Sequence, residues 1–126
     1  MSALRGLLFA PGNHARRVEK ALSLPADGAI LDLEDAVAVS EKTAARPLVA
    51  AWFCKPRAGK LYVRVNAMST DWCLGDLTAV ALPGLDGIVL PKVESADQLK
   101  AVEWVLSSLE RDRGLPGGGK IGRAHV

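Results

Sequence analysis

The stretch Ala29–Lys42, AILDLEDAVAVSEK, decides how the rest of the chain is read. It opens as a buried strand, Ala29-Ile30-Leu31, and then takes on Asp32, Glu34 and Asp35. Carboxylates are among the costliest groups to remove from water, so acids at the end of an apolar run must be answered by partners elsewhere in the fold. Side chains alternate along a strand. Leu31 and Leu33 therefore share one face, and Ile30, Asp32 and Glu34 share the other. Asp35 leaves the run on the Leu33 side and leads into a loop, a position suited to capping or to supporting a neighbouring group.

Three further runs have the same build. LLFAPG (7–12), KLYVRVN (60–66) and GIVLPKV (87–93), together with GAILDLED (28–35), are short apolar runs that end in turn or charged residues, and each is a predicted strand. In the third, Leu61, Val63 and Val65 form an apolar face opposite Tyr62, Arg64 and Asn66. In the fourth, Val89, Pro91 and Val93 stand opposite Ile88, Leu90, Lys92 and Glu94. With the apolar faces laid on helices, Asp32, Glu34, Arg64, Asn66 and Lys92 are expected to meet near the carboxyl-terminal strand ends. Opposite charges gathered there offset one another's desolvation. Glu34 and Arg64 are read either as a structural ion pair or as part of a site.

Helical stretches fill the gaps. Asn13 is the expected N-cap of a first helix through HARRVEKALSL, with Val18, Ala21 and Leu22 on one face. A second, SEKTAARPLVAAWF, begins at Ser40 and carries Pro47, which is expected to kink or split it. A third covers roughly 71–82. The fourth opens on the Ser95/Gln98 capping box and repeats Leu99, Val102, Leu106 and Leu109 at helical spacing, with a charged outer face. Strict alternation of strand and helix predicts a parallel sheet with right-handed crossovers, either an open doubly wound sheet or part of a (β/α)8 barrel. In both, the carboxyl-terminal rim carries the site.

Composition narrows the partners. The 126 residues are 49% hydrophobic and 24% charged, with 16 basic and 14 acidic side chains scattered along the chain. No block of like charge suggests nucleic acid or a membrane surface, and no apolar run reaches the roughly 20 residues of a membrane span. A small-molecule partner and a cytoplasmic location are expected. Cys54 and Cys73 form no C-x-x-C pair and are expected to be reduced, packed thiols. His14 is isolated, which favours a surface or capping position over a metal ligand. The glycines at 117–119 follow a helix and read as a linker.

Taken together, LLFAPGNHARRVEKAL, AILDLEDAVAVSEKTAAR, YVRVNA and GIVLPKVESADQL resemble the HpcH/HpaI aldolase/citrate lyase family, in particular its citrate lyase beta subunit-like CoA-ester lyases. The resemblance runs from about residue 4 to 106. It implies a TIM barrel of the phosphoenolpyruvate/pyruvate type, usually a homo-oligomer. It also implies Mg²⁺-dependent cleavage of a 3-hydroxyacyl-CoA such as citryl-CoA or malyl-CoA into an acyl-CoA and a 2-oxo acid, or the reverse. On this basis Arg64 is the arginine that binds the substrate's oxygens, and Glu34 is an acid beside substrate and metal. Phe9, Lys20 and, where the family often has arginine, His14 lie toward the CoA portion. Asp32, Asp35 and Asn66 are supporting residues.

The carboxylates that ligate Mg²⁺ in the family fall on strands after the fourth, and no metal ligand is expected within this chain. A (β/α)8 barrel needs roughly 200 residues or more, so residues 1–120 are read as its amino-terminal half, about four βα units. Residues 121–126, IGRAHV being the local sequence, coincide with one reading frame of a common sequencing adapter and are expected to be a non-native tail that does not continue the pattern. The chain alone is expected to be inactive, with its first and fourth strands as open edges. Two other functions compete with this one: an aldolase of free 2-oxo acids on the same barrel, and a non-catalytic half barrel that binds a partner. The same gene read from an independent clone is expected to diverge from IGRAHV after Lys120; identical natural codons there would refute the tail.

Overall fold

The computed structural model describes residues 6–115 and 122–125. The strands are β1 (Leu7–Pro11), β2 (Gly28–Asp32), β3 (Lys60–Arg64), β4 (Gly87–Leu90) and β5 (Gly122–His125). Between them run helices α1 (Ala15–Ser23), α2 (Lys42–Ala50), α3 (Cys73–Val80) and α4 (Ala96–Asp112). All strand pairs are parallel, and the sheet order is β1-β2-β3-β4-β5. A doubly wound sheet reverses its strand order at a switch point. This one advances in a single direction, as a (β/α) barrel does.

One apolar core lies between sheet and helices. Leu31, Leu61, Val63, Ile88 and Leu90 from the strands and Leu33 just after β2 meet Val18, Val49, Leu77, Val102 and Leu106 from the helices. The other face of the sheet is set by register: Pro11, Asp32, Arg64 and Val89 are successive partners across four strands and therefore point the same way. Among the described residues no helix is long and apolar enough to cross a membrane.

Several expectations need correction. In β4 it is Val89, not the Ile88/Leu90 face, that lies on the side of Arg64, because Ile88 and Leu90 enter the helix-facing core. Asn13 does not cap α1. His14 does, its Nδ1 accepting from Arg17 N at 3.3 Å, while Asn13 Nδ2 donates to Glu41 Oε2 at 3.1 Å. Pro47 does not split α2. A 3-10 turn (Val39–Glu41) precedes the helix, and Pro47 falls in its last turns, so only a short stretch follows before the chain turns away after Ala50. The buried row of α4 also includes Glu110, one turn beyond Leu106, although only apolar residues were expected there. Cys73 is buried, but Cys54 is exposed.

Backbone of residues 122–125 forms a fifth parallel strand, so the alternation runs one strand beyond four βα units and β4 is not an open edge. The glycines at 117–119 lie outside the described residues, as do Ile121 and Val126 of the terminal stretch.

Gly12 is where β1 turns toward α1. Its N–H donates to Asp32 O at 2.8 Å, and a Cβ there would overlap the Val49 side chain and stand 2.8 Å from the same carbonyl. The Gly12→Ala protein is expected to lose about 1–3 kcal/mol of stability through overpacking, read as a lower urea midpoint at unchanged slope.

Candidate active site

Asp32 closes β2 directly opposite Arg64, the last residue of β3. The guanidinium meets the carboxylate as a fork, Nε to Oδ1 at 2.9 Å and Nη2 to Oδ2 at 2.8 Å. Each oxygen accepts a second bond from the loop that follows, Glu34 N to Oδ1 and Ala36 N to Oδ2, both 2.9 Å. A buried carboxylate with this many donors is satisfied without water. Burial pushes the Asp32 carboxyl pKa up, but the bonds from Arg64, Ala36 and Glu34 together outweigh it, and the net shift is below the ordinary value. The Arg64 pKa is raised, chiefly by its bond to Asp32.

Glu34 is buried two residues further on. Its Oε1 lies 3.5 Å from Arg64 Nε and its Oε2 3.0 Å from Lys92 Nζ. Its backbone is held from behind: buried Lys42 donates through Nζ to Leu33 O at 3.0 Å and Glu34 O at 2.6 Å, and stands 5.5 Å from the centre of the Trp72 ring. Asn66 Nδ2 adds a bond to Leu33 O at 3.0 Å. Asn66 is thus not brought to the Arg64 carboxylates. It belongs to a buried network in which Asp76 of α3 accepts from Asn66 Nδ2 and N and pairs with Arg46 Nε at 2.9 Å. Cys73 sits beside this network; burial, and then the charge of Asp76, push its thiol up to about 11, leaving it a packing group at neutral pH.

In front of the fork opens a cleft of about 450 Å³ lined by Phe9, Pro11, Arg17, Asp32, Asp35 and Arg64. The Arg64 guanidinium stands 5.2 Å from the centre of the exposed Phe9 ring. Nε and Nη2 are committed to Asp32, and Nη1 makes no hydrogen bond among the described residues. A ligand carboxylate or carbonyl in the cleft would find that edge of the fork. Lys20 and His14 are exposed on α1 and do not line the cleft, whereas Arg17, which sequence reasoning passed over, does. Its signal was spacing, one helical turn beyond the cap.

A larger cavity, about 800 Å³, lies at the opposite end of the sheet beside Asp27, Lys55, Arg57, Lys60 and Asp86. There Arg57 pairs with Asp86 at 3.0 Å and donates to Phe53 O and Gly84 O, while Asp86 accepts from Leu61 N. Polar groups that bind one another at the amino-terminal strand ends hold the sheet together; the chemistry of such folds occurs at the other rim.

Among the described residues no three His, Cys, Asp or Glu side chains gather into a metal-binding group. Asp32 and Glu34 face Arg64 and Lys92, so their charge is answered by cationic side chains, and the residues present do not fit a divalent ion.

Fold and rim together define a parallel (β/α)-barrel segment with a charged cleft at its carboxyl-terminal end. The profile of the HpcH/HpaI aldolase/citrate lyase family matches residues 5–121, and the chain belongs to that family. It is 43% identical over 107 residues to (3S)-malyl-CoA thioesterase of Cereibacter sphaeroides, covering 83% of this chain and 38% of the relative. It is 37% identical over 124 residues to citrate lyase subunit beta of Leuconostoc mesenteroides, covering 97% and 40%. The chain therefore spans about two fifths of the curated relatives it matches. Among solved structures, citrate lyase beta subunit from M. tuberculosis with oxaloacetate and magnesium superposes with TM-score 0.68 at 39% identity, over 80% of this chain and 44% of that one. RipC from Yersinia pestis superposes with TM-score 0.66 at 26% identity, over 97% and 45%. The sheet is thus part of the TIM barrel of this family.

Because the Asp32 pKa is lower folded than unfolded, its contribution to stability is present above the ordinary value of 3.8 and is lost as pH falls through the folded-state value. The urea midpoint is expected to fall as pH drops below about 4, and Asp32→Asn is expected to flatten that dependence while lowering the midpoint at neutral pH.

Proposed function

We propose that the protein to which residues 1–126 belong is a carbon–carbon lyase acting on a 3-hydroxyacyl-CoA, releasing an acyl-CoA and a 2-oxo acid, or condensing them. Such cleavage removes the hydroxyl proton, turns the carbinol carbon into the oxo acid's carbonyl and passes the carbon–carbon pair into the thioester as an enolate. The enolate is then protonated to the acyl-CoA. The observation that carries the reading is the Arg64 fork at the mouth of the cleft, oriented by Asp32 and stacked on Phe9. A guanidinium held in this way presents preorganised N–H groups to the oxygens of an oxo acid, which a flexible ammonium does less well.

Glu34 lies beside Arg64 at the same rim and is the acid of the site in this reading. Phe9 supplies an apolar wall, and Lys20 and His14 on α1 are directed to the CoA portion. Asp32, Asp35 and Asn66 support. Relatives solved with magnesium, acetoacetate and coenzyme A favour a thioester substrate and a Mg²⁺ cofactor. With no fitting ligand set among the described residues, we assign the metal to residues outside this chain. In this reading the whole protein is a cytoplasmic homo-oligomer with no nucleic-acid or membrane partner.

The thioesterase relative favours one second reading, hydrolysis of the thioester. Product analysis of the whole protein on malyl-CoA and citryl-CoA separates the two. A lyase gives acyl-CoA and a 2-oxo acid, whereas a hydrolase gives free CoA and the hydroxy acid. Cleavage of the free acids at equal rate would favour an aldolase without CoA dependence. In the whole protein, Arg64→Lys is expected to lower turnover about a hundredfold while folding normally, since the charge opposite Asp32 is kept and only the fork is lost. Near-parental turnover in that variant would refute the role given to Arg64.

A further inference from the structure

After Leu90 the chain faces a conflict. Strand alternation would send Lys92 to the side of Ile88 and Leu90, into the apolar core, where an ammonium has no partner. The chain avoids this by leaving the strand at Pro91 and placing Lys92 at φ +55°, the left-handed region. Among the described residues Lys92 is the only non-glycine with positive φ. The reversal carries its side chain across β3 to Glu34, two strands away, at 3.0 Å.

A conformation disfavoured for a residue with a Cβ persists where the surroundings impose it, and such residues cluster at functional sites. Glycine or asparagine would make the same turn more easily, but neither carries a positive charge. The pair is also asymmetric. The Glu34 side chain is 7% exposed and that of Lys92 67% exposed, so a fixed acid meets a cation reaching in from solvent. Arg64 gives its fork to Asp32 and only a 3.5 Å contact to Glu34. Without Lys92, Glu34 would be left to compete with Asp32 for Arg64.

We propose that Lys92 is a positioning residue. Its left-handed backbone delivers an ammonium to Glu34 Oε2, which keeps that carboxylate to a 3.5 Å contact with Arg64 Nε and leaves the Nη1 edge of the guanidinium open to substrate. The role in catalysis rests on the lyase reading above; the placement of Glu34 does not. The Lys92 pKa is raised, first by the bond to and charge of Glu34, with Asp35 adding and desolvation and Arg64 opposing.

The test uses the whole protein. Lys92→Met is expected to lower kcat at least tenfold with KM changed less than threefold and the melting temperature little altered. Lys92→Arg is expected to restore kcat to within threefold of the parent. Lys92→Gly, which relaxes the backbone but removes the charge, is expected to share the kcat loss of Lys92→Met. Equal kcat in parent and Lys92→Met, equal impairment of Lys92→Arg and Lys92→Met, or a Lys92→Gly protein with parental kcat would each overturn the proposal. A second arm needs no substrate. With its lysines labelled by reductive ¹³C-methylation, the Lys92 resonance is expected to titrate at lower pH in Glu34→Gln than in the parent. Coincident titrations would overturn the placement. Absence of turnover on any CoA ester by the parent would instead refute the lyase reading and leave this arm to decide the contact.

Discussion

The rim of this protein depends on one interaction, the forked pairing of Asp32 with Arg64 across β2 and β3. A buried carboxylate needs several donors and a barrel strand end can supply few, so the loop after β2 folds back to offer the Glu34 and Ala36 amides. That fold-back fixes where the Glu34 side chain emerges. The guanidinium, held flat by two bonds, comes to rest on Phe9 of β1. Three neighbouring strands are tied at one level by a single charged pair. Breaking one partner of such a pair costs several times what the intact pair contributes, because the survivor stays buried. The candidate site and the stability of the rim therefore rest on the same residues.

Much of this was legible in the sequence for physical reasons. Alternation placed Leu31 and Leu33 opposite Asp32, and it placed Val63 opposite Arg64. Both strands run regularly to the residues in question, so a period of two suffices. The four strands and four helices, the Ser95 cap and the apolar row of α4 are local features and could be read locally.

What failed to show were features set by tertiary partners. The face of β4 was misassigned because Pro91 and the left-handed Lys92 break the alternation just where it was extrapolated. Lys42, Arg46 and Asp76 were missed because a buried polar network has no period; each is placed by the carbonyl or carboxylate it satisfies. The Asn66 amide looked inward by alternation, yet it turns to α3 once β3 has ended at Arg64. The acids of the second strand are answered by two cations, Arg64 on β3 and Lys92 beyond β4.

The bond from Gly12 to the Asp32 carbonyl has a mechanical consequence. The loop between β1 and α1 is fastened to the loop after β2 at two points, there and between Asn13 and Glu41. The wall of the cleft that carries Phe9 and Arg17 is therefore tied to the charged rim. Swinging α1 away from the cleft would break both bonds, so the width of the cleft is coupled to the packing of the segment after β2.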